Sequence, residues 1–138
     1  MPPPVLAHTA AMGAEWHGYG GLSIARRVFR LIADAPAEIA VIAYLSQDLR
    51  LIGLDHVAGT RDAVPLRPGA IAAAALRCAA HQVVVAHNHL SGDPTPSHAD
   101  LAFARDLARA LRTVNARLAD IVILGDGRRS SLRALGLV

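Results

Sequence analysis

One segment constrains this chain more than any other. An apolar run, Gln82-Val83-Val84-Val85-Ala86, closes on His87-Asn88-His89 and is followed, after a Gly/Pro-containing loop, by Ser97-His98-Ala99-Asp100. A short apolar run bounded by turn residues reads as a buried strand. Ser-x-x-Asp ahead of a periodic apolar stretch reads as a capping box that opens a helix. The segment therefore commits the chain to a strand–loop–helix unit. Strand alternation puts His87 and His89 on one side, and capping by Ser97 puts Asp100 in the first helical turn, looking back at the strand end. Two imidazoles and a carboxylate, with a position left for water, form the ligand set of a catalytic zinc site. Each piece has a plainer reading: a capping box needs no metal, and a lone histidine is usually a satisfied ring. Two rings on one face at the end of an apolar strand favour the metal.

The rest of the chain supplies the elements around that unit. Residues 1–20 are rich in Pro, Gly, Ala and His and lack periodicity, so they read as an arm. Ser23 can cap a helix over Ile24–Ala33. Glu38–Leu45 and Leu49–Ala58 are runs of strand length around the turn Ser46-Gln47-Asp48, an expected antiparallel hairpin. Pro68 or Gly69 opens an alanine-rich helix through Ala80. Gln82–His87 is the third strand, Ser97–Val114 an amphipathic helix with Leu101, Ala104, Leu107, Ala108 and Leu111 as its inner stripe, and Leu118–Leu124 the fourth strand. Gly125-Asp126-Gly127 is a turn, and Ser130-Ser131 holds a short strand or a helix cap. Asp93 reads as a turn aspartate. The expected division is an arm and helix over 1–37 and one domain over 38–138. The order β-β-α-β-α-β gives a mixed β-sheet flanked by helices, α/β in class.

Composition excludes several classes. At 138 residues the length suits one domain, and the hydrophobic fraction of 53% is enough for a sizeable core. No apolar run reaches the length of a membrane-spanning helix, and Met1-Pro2-Pro3-Pro4 lacks the basic start of a signal peptide. The single Cys78 excludes an internal disulfide and suits a reducing cytoplasm. All 14 basic residues are arginine, with a net charge of +3; without lysine a phosphate-binding loop of the Walker type is excluded. Arg105, Arg109 and Arg112 share a helical face, which is most often a solvated face rather than a nucleic-acid footprint.

The spacing His87-x-His89-x7-Ser97-x2-Asp100 resembles the JAMM signature of MPN-domain metallopeptidases. The longer string from His87 to Ser97, with Gly59-Thr60 and Ile123-Leu124-Gly125-Asp126-Gly127, resembles the bacterial RadC branch of that family. The resemblance runs from about Glu38 to the C-terminus. It implies an MPN-like, cytidine-deaminase-like fold, a Zn2+ held by His87, His89 and Asp100, and Ser97 supporting the reacting water. Leu90 stands where RadC-like sequences usually have proline. The resemblance places a general-base carboxylate on the second strand shortly before Gly59-Thr60, where this chain offers Asp55, shorter than Glu by on the order of 1.5 Å. Asp55 then acts directly, acts through a water, or does not act. Full-length relatives carry a helix-hairpin-helix region ahead of this domain; the residues before Glu38 are too few for most of it, which weakens the case for nucleic acid.

Two functions follow as expectations. One is a zinc-dependent hydrolase of the metallopeptidase type, acting on an amide or isopeptide bond of a peptide or protein substrate, with Asp55 and Ser97 as catalytic groups. The other is a non-catalytic MPN scaffold that binds protein or nucleic acid, associated with DNA repair by resemblance alone. No membrane role is expected. The apolar density permits a homodimer without showing one.

Overall fold

A computed structural model describes Ile32, residues 35–59 and residues 65–138. The arm, the helix over Ile24–Ala33 apart from Ile32, and the Thr60 end of the Gly59-Thr60 motif lie outside the described residues. Five strands and two helices are present among them: β1 (Ile39–Leu45), β2 (Leu51–Ala58), α1 (Pro68–Arg77), β3 (Gln82–Asn88), α2 (His98–Arg112), β4 (Arg117–Gly125) and β5 (Arg128–Ser131). No helix among them is long and apolar enough to cross a membrane.

The strands form one mixed sheet in the order β2-β1-β3-β4-β5. β1 is antiparallel to both β2 and β3, β3 and β4 run parallel, and β5 returns antiparallel to β4. The parallel pair needs a crossover, and α2 supplies it. β3 is central and buried along almost its whole length, because both faces of the sheet are covered; that is why its sequence is a continuous apolar run rather than an alternation. On the helix-covered face Ile42, Tyr44, Val83, Val85, Ile121 and Ile123 pack with Ile71, Ala74 and Ala75 of α1 and Leu107 and Leu111 of α2. On the opposite face Ala43, Leu45, Val84, Ala86, Val122 and Leu124 form a second layer with Ile32.

The expected elements hold, with shifts at their ends. α1 stops at Arg77, short of Ala80. There Ala79 takes a left-handed φ of 57° and the Ala80 amide bonds back to the Ala75 carbonyl, a helix-closing turn for which glycine is the usual residue. Asn115, also at φ 57°, ends α2 in the same way, with Ala116 bonded to Leu111. β2 begins at Leu51 because Leu49, at φ 66°, completes the turn, and the ladder slips between Tyr44 and Leu45. Of the two readings for Ser130-Ser131 the strand is realised. Asp126 and Gly127 both have positive φ, 47° and 68°, as the central residues of a tight two-residue hairpin turn require.

Candidate metal centre

The site lies where β3 runs out and α2 begins. His87 is the second-last residue of β3 and shares the helix-covered face with Val83 and Val85. His89 lies one residue past the strand, its backbone still held by an amide bond to the Leu124 carbonyl of β4 (2.9 Å). The two rings are 5.1 Å apart between centroids and tilted by 57°. Between them Asn88 is buried and binds the start of β1 twice: its Oδ1 accepts from the Ile39 amide (2.7 Å) and its Nδ2 donates to the Ala37 carbonyl (3.1 Å). Sequence reading assigned Asn88 no role, yet it anchors the backbone that carries both imidazoles.

Asp100 is aimed by the capping box. Ser97 caps α2, its Oγ accepting from the Asp100 amide (3.1 Å), while Asp100 Oδ2 accepts from the Ser97 amide (2.8 Å). This turns the carboxylate back toward the strand. Oδ1 lies 3.2 Å from His87 Nε2 and Oδ2 lies 3.1 Å from His89 Nε2. Burial pushes the Asp100 carboxyl upward, but the bonds from His87 and the Ser97 amide outweigh it and hold the group well below the usual carboxylate range. The capping reading and the ligand reading are thus both realised by the same two residues.

The three ligand atoms lie within 4.8 Å of one another, and their chemistry fits a metal. His89 Nδ1 is 2.9 Å from the Asp93 carbonyl, which can only accept, so the ring proton of a neutral imidazole resides there. Nε2 and Asp100 Oδ2 are then two acceptors face to face, a contact that needs a cation between them, either a second ring proton or a metal ion. Two ligands bound tetrahedrally to one zinc are about 3.4 Å apart, taking bond lengths near 2.1 Å; the observed separations are close to this. A ring held by a carbonyl at its far nitrogen is the usual support of a metal-binding histidine.

The loop Leu90–Pro96 borders this group and is tied down on its outer side. Arg128 Nη2 reaches the Gly92 carbonyl (3.4 Å), and Ser130 Oγ donates to the Pro94 carbonyl. Asp93 is the expected turn residue: its Oδ1 accepts from the Thr95 hydroxyl and amide, which lowers its pKa. Gly92 (φ 82°) packs its backbone against Gly125 and the Asp126 carboxylate; a Cβ at Gly92 would lie 2.4 Å from Asp126 Oδ2, and one at Gly125 2.6 Å from the Gly92 carbonyl oxygen.

Asp55 is not brought to the group. It lies on the same face as His87, but the register pairs it with Ile42 and then Val85, while His87 is in the row of Ala40 and Val57. Two strands across and one row deeper, its Cα is about 12 Å from that of His87 by sheet spacing. Its side chain is fully buried, with Oδ2 accepting from the Tyr44 hydroxyl (2.9 Å) and Oδ1 without a hydrogen-bond partner. Burial raises its pKa against the bond from Tyr44. Asp120 is also buried, on the opposite face, where it accepts from the Ser131 hydroxyl and the Arg133 amide and braces the C-terminal turn.

By register Glu38, just before β1, stands nearer to His87 than Asp55 does. The Glu38 carbonyl accepts from the Gly59 amide (2.8 Å), extending the β1–β2 ladder by one residue past Ile39. Alternation then puts its side chain on the face of Ala40, the cross-strand partner of His87. Diagonal neighbours on adjacent strands are about 7–8 Å apart, within reach of a long side chain.

A profile of the RadC-like JAB domain matches residues 22–137. A UPF0758 protein of Bordetella avium is 34% identical over 116 residues, covering 83% of this chain and 52% of that protein. UPF0758 proteins of Rhodobacter capsulatus and a Marinomonas species are 37% and 39% identical over 108 residues, each covering 78% of this chain and 50% and 48% of those proteins. The chain thus spans about half the length of these curated relatives. With that breadth of match, this chain belongs to the RadC-like JAB domain family.

Proposed function

We propose that this domain is a zinc-dependent hydrolase of the metallopeptidase type, cleaving an amide or isopeptide bond in a peptide or protein substrate in the cytoplasm. The observation that carries the reading is the meeting of His87, His89 and Asp100 with the ring proton of His89 committed to the Asp93 carbonyl. Zinc held by these three residues supplies a Lewis acid that polarises a carbonyl and brings the pKa of a water toward ~7.

The chain's own groups do the rest. Glu38, at the mouth of the group, takes the proton of the attacking water and returns it to the leaving amine. Asp55, the residue first expected in that role, lies too deep and is occupied by Tyr44. Ser97 uses its lone pair for the Asp100 amide, so its hydroxyl proton is free to donate to the developing oxyanion. Asn88 and the Asp93 carbonyl keep the two rings in place.

The test joins metal content to hydrolysis. Purified protein reconstituted with zinc should hold about one ion per chain by elemental analysis, and His87→Ala/His89→Ala should lose it. Peptide and isopeptide libraries should be cleaved by the zinc form and not after chelation. Zinc binding without cleavage of any substrate by the parent chain would favour the scaffold reading.

A further inference from the structure

Away from the metal group, α2 carries a basic stripe of its own. Arg105, Arg109 and Arg112 are exposed, and no ion pair or hydrogen bond of their guanidinium groups is found among the described residues. They rim an open groove of about 280 Å³, floored by Ala104 and Ala108 and walled by Leu137 and Val138. The last two are 48% and 41% exposed. Asp106 also lies on α2, but it stands about 100° around the helix from Arg105 and does not line the groove.

We propose that this groove docks an acidic amphipathic peptide segment of a partner protein. Its aliphatic side chains would lie on the alanine floor against Leu137 and Val138, and its carboxylates would meet the three arginines. The alanines leave room that larger residues would fill. The i, i+4, i+7 spacing steps the arginines along the helix by about 6 and 4.5 Å, so carboxylates repeated at helical spacing can meet them in turn. Planar guanidinium forks bind carboxylates two-handed. The groove is small and open for a small-molecule cavity. The residues that line the groove include no aromatic side chain on which a nucleic-acid strand could stack, and its phosphates would lie over an apolar floor. The groove starts beyond Asp100 along α2, so the proposal does not depend on the metal.

Fluorescence anisotropy of the whole chain with a labelled helix-forming peptide, Glu and Leu sharing one face, tests this. Saturable binding that weakens with salt is expected. Arg105→Glu/Arg109→Glu should weaken it at least about tenfold, and Ala108→Trp, which fills the floor without changing charge, should weaken it comparably. Melting curves establish that the variants fold; the double arginine variant, altered only at exposed positions, decides if Ala108→Trp does not. The proposal is overturned if no saturable binding occurs. It also fails if a peptide with Leu replaced by Ser binds equally, since the floor then contributes nothing. Displacement of the peptide by a DNA oligonucleotide at lower concentration would assign the groove to nucleic acid instead.

Discussion

At the scale of single residues, the contrast between Glu38 and Asp55 turns on register. Both share a sheet face with His87, but one is a diagonal neighbour at the open end and the other is a row deeper and a strand farther. Glu38→Gln should therefore lower hydrolysis by about 10²–10⁴-fold while zinc content stays unchanged. Asp55→Asn should leave turnover near that of the parent. Measuring both variants on one cleaved substrate decides between the two carboxylates: retained activity in Glu38→Gln with lost activity in Asp55→Asn would reinstate Asp55. The two histidines and Asp100 could be read from sequence because each pair is linked by local geometry, strand alternation in one case and a capping turn in the other. Glu38 could not, because its placement depends on how β1 pairs with β3, some fifty positions away, and neither strand's own pattern states that register.

At the scale of elements, the β3–α2 connection converts a loop into a fixed frame. Gly92 and Gly125 let two backbone segments touch, and the Asp126-Gly127 turn closes against them. Gly92→Ala should destabilise the domain by at least about 1–2 kcal/mol from its left-handed φ alone, with the contact to Asp126 adding to this. It should also weaken zinc binding, because Asp93, the carbonyl support of His89, is the next residue. Adding Asp126→Ala removes the atoms nearest the new Cβ and should recover part of the loss in a melting experiment; no recovery would place the whole cost in the backbone conformation. The turn at Gly125-Asp126-Gly127 was legible, but whether a strand or a helix cap follows it was not, because Ser130-Ser131 suits either; pairing with β4 makes it β5. The end of α1 was not legible, since Ala79 adopts a conformation that its sequence gives no reason to expect.

At the scale of the whole molecule, the sheet separates two apolar layers, and the helix-side layer contains a carboxyl with one oxygen unpaired. That carboxyl is Asp55, paired with the Tyr44 hydroxyl; Arg77, His56 and Cys78 are the titratable groups that act on the two. Burial, with Asp55 beside it, pushes the Tyr44 hydroxyl far above the usual phenol range, so it remains a donor. Asp55 itself is raised by burial, and this fixes the sign of its effect on stability. A carboxyl with a higher pKa folded than unfolded takes up a proton on folding. Its contribution is complete in acid, below the unfolded value, and is lost as pH rises through the folded value. At neutral pH the chain therefore retains a buried acid that must either ionise in an apolar layer or hold a proton against the solvent. Asp55→Asn keeps an oxygen for the Tyr44 hydroxyl and removes the charge. In metal-free protein it should raise the melting temperature by a few degrees at pH 7 to 8, and by less as the pH falls toward the range in which an unfolded carboxyl protonates, because burial raises the folded carboxyl's pKa above that range. Melting curves of parent and variant across this range measure the difference directly. A gain that is the same at every pH would show that ionisation of Asp55 is not what the fold resists, and that the unpaired oxygen alone sets the cost.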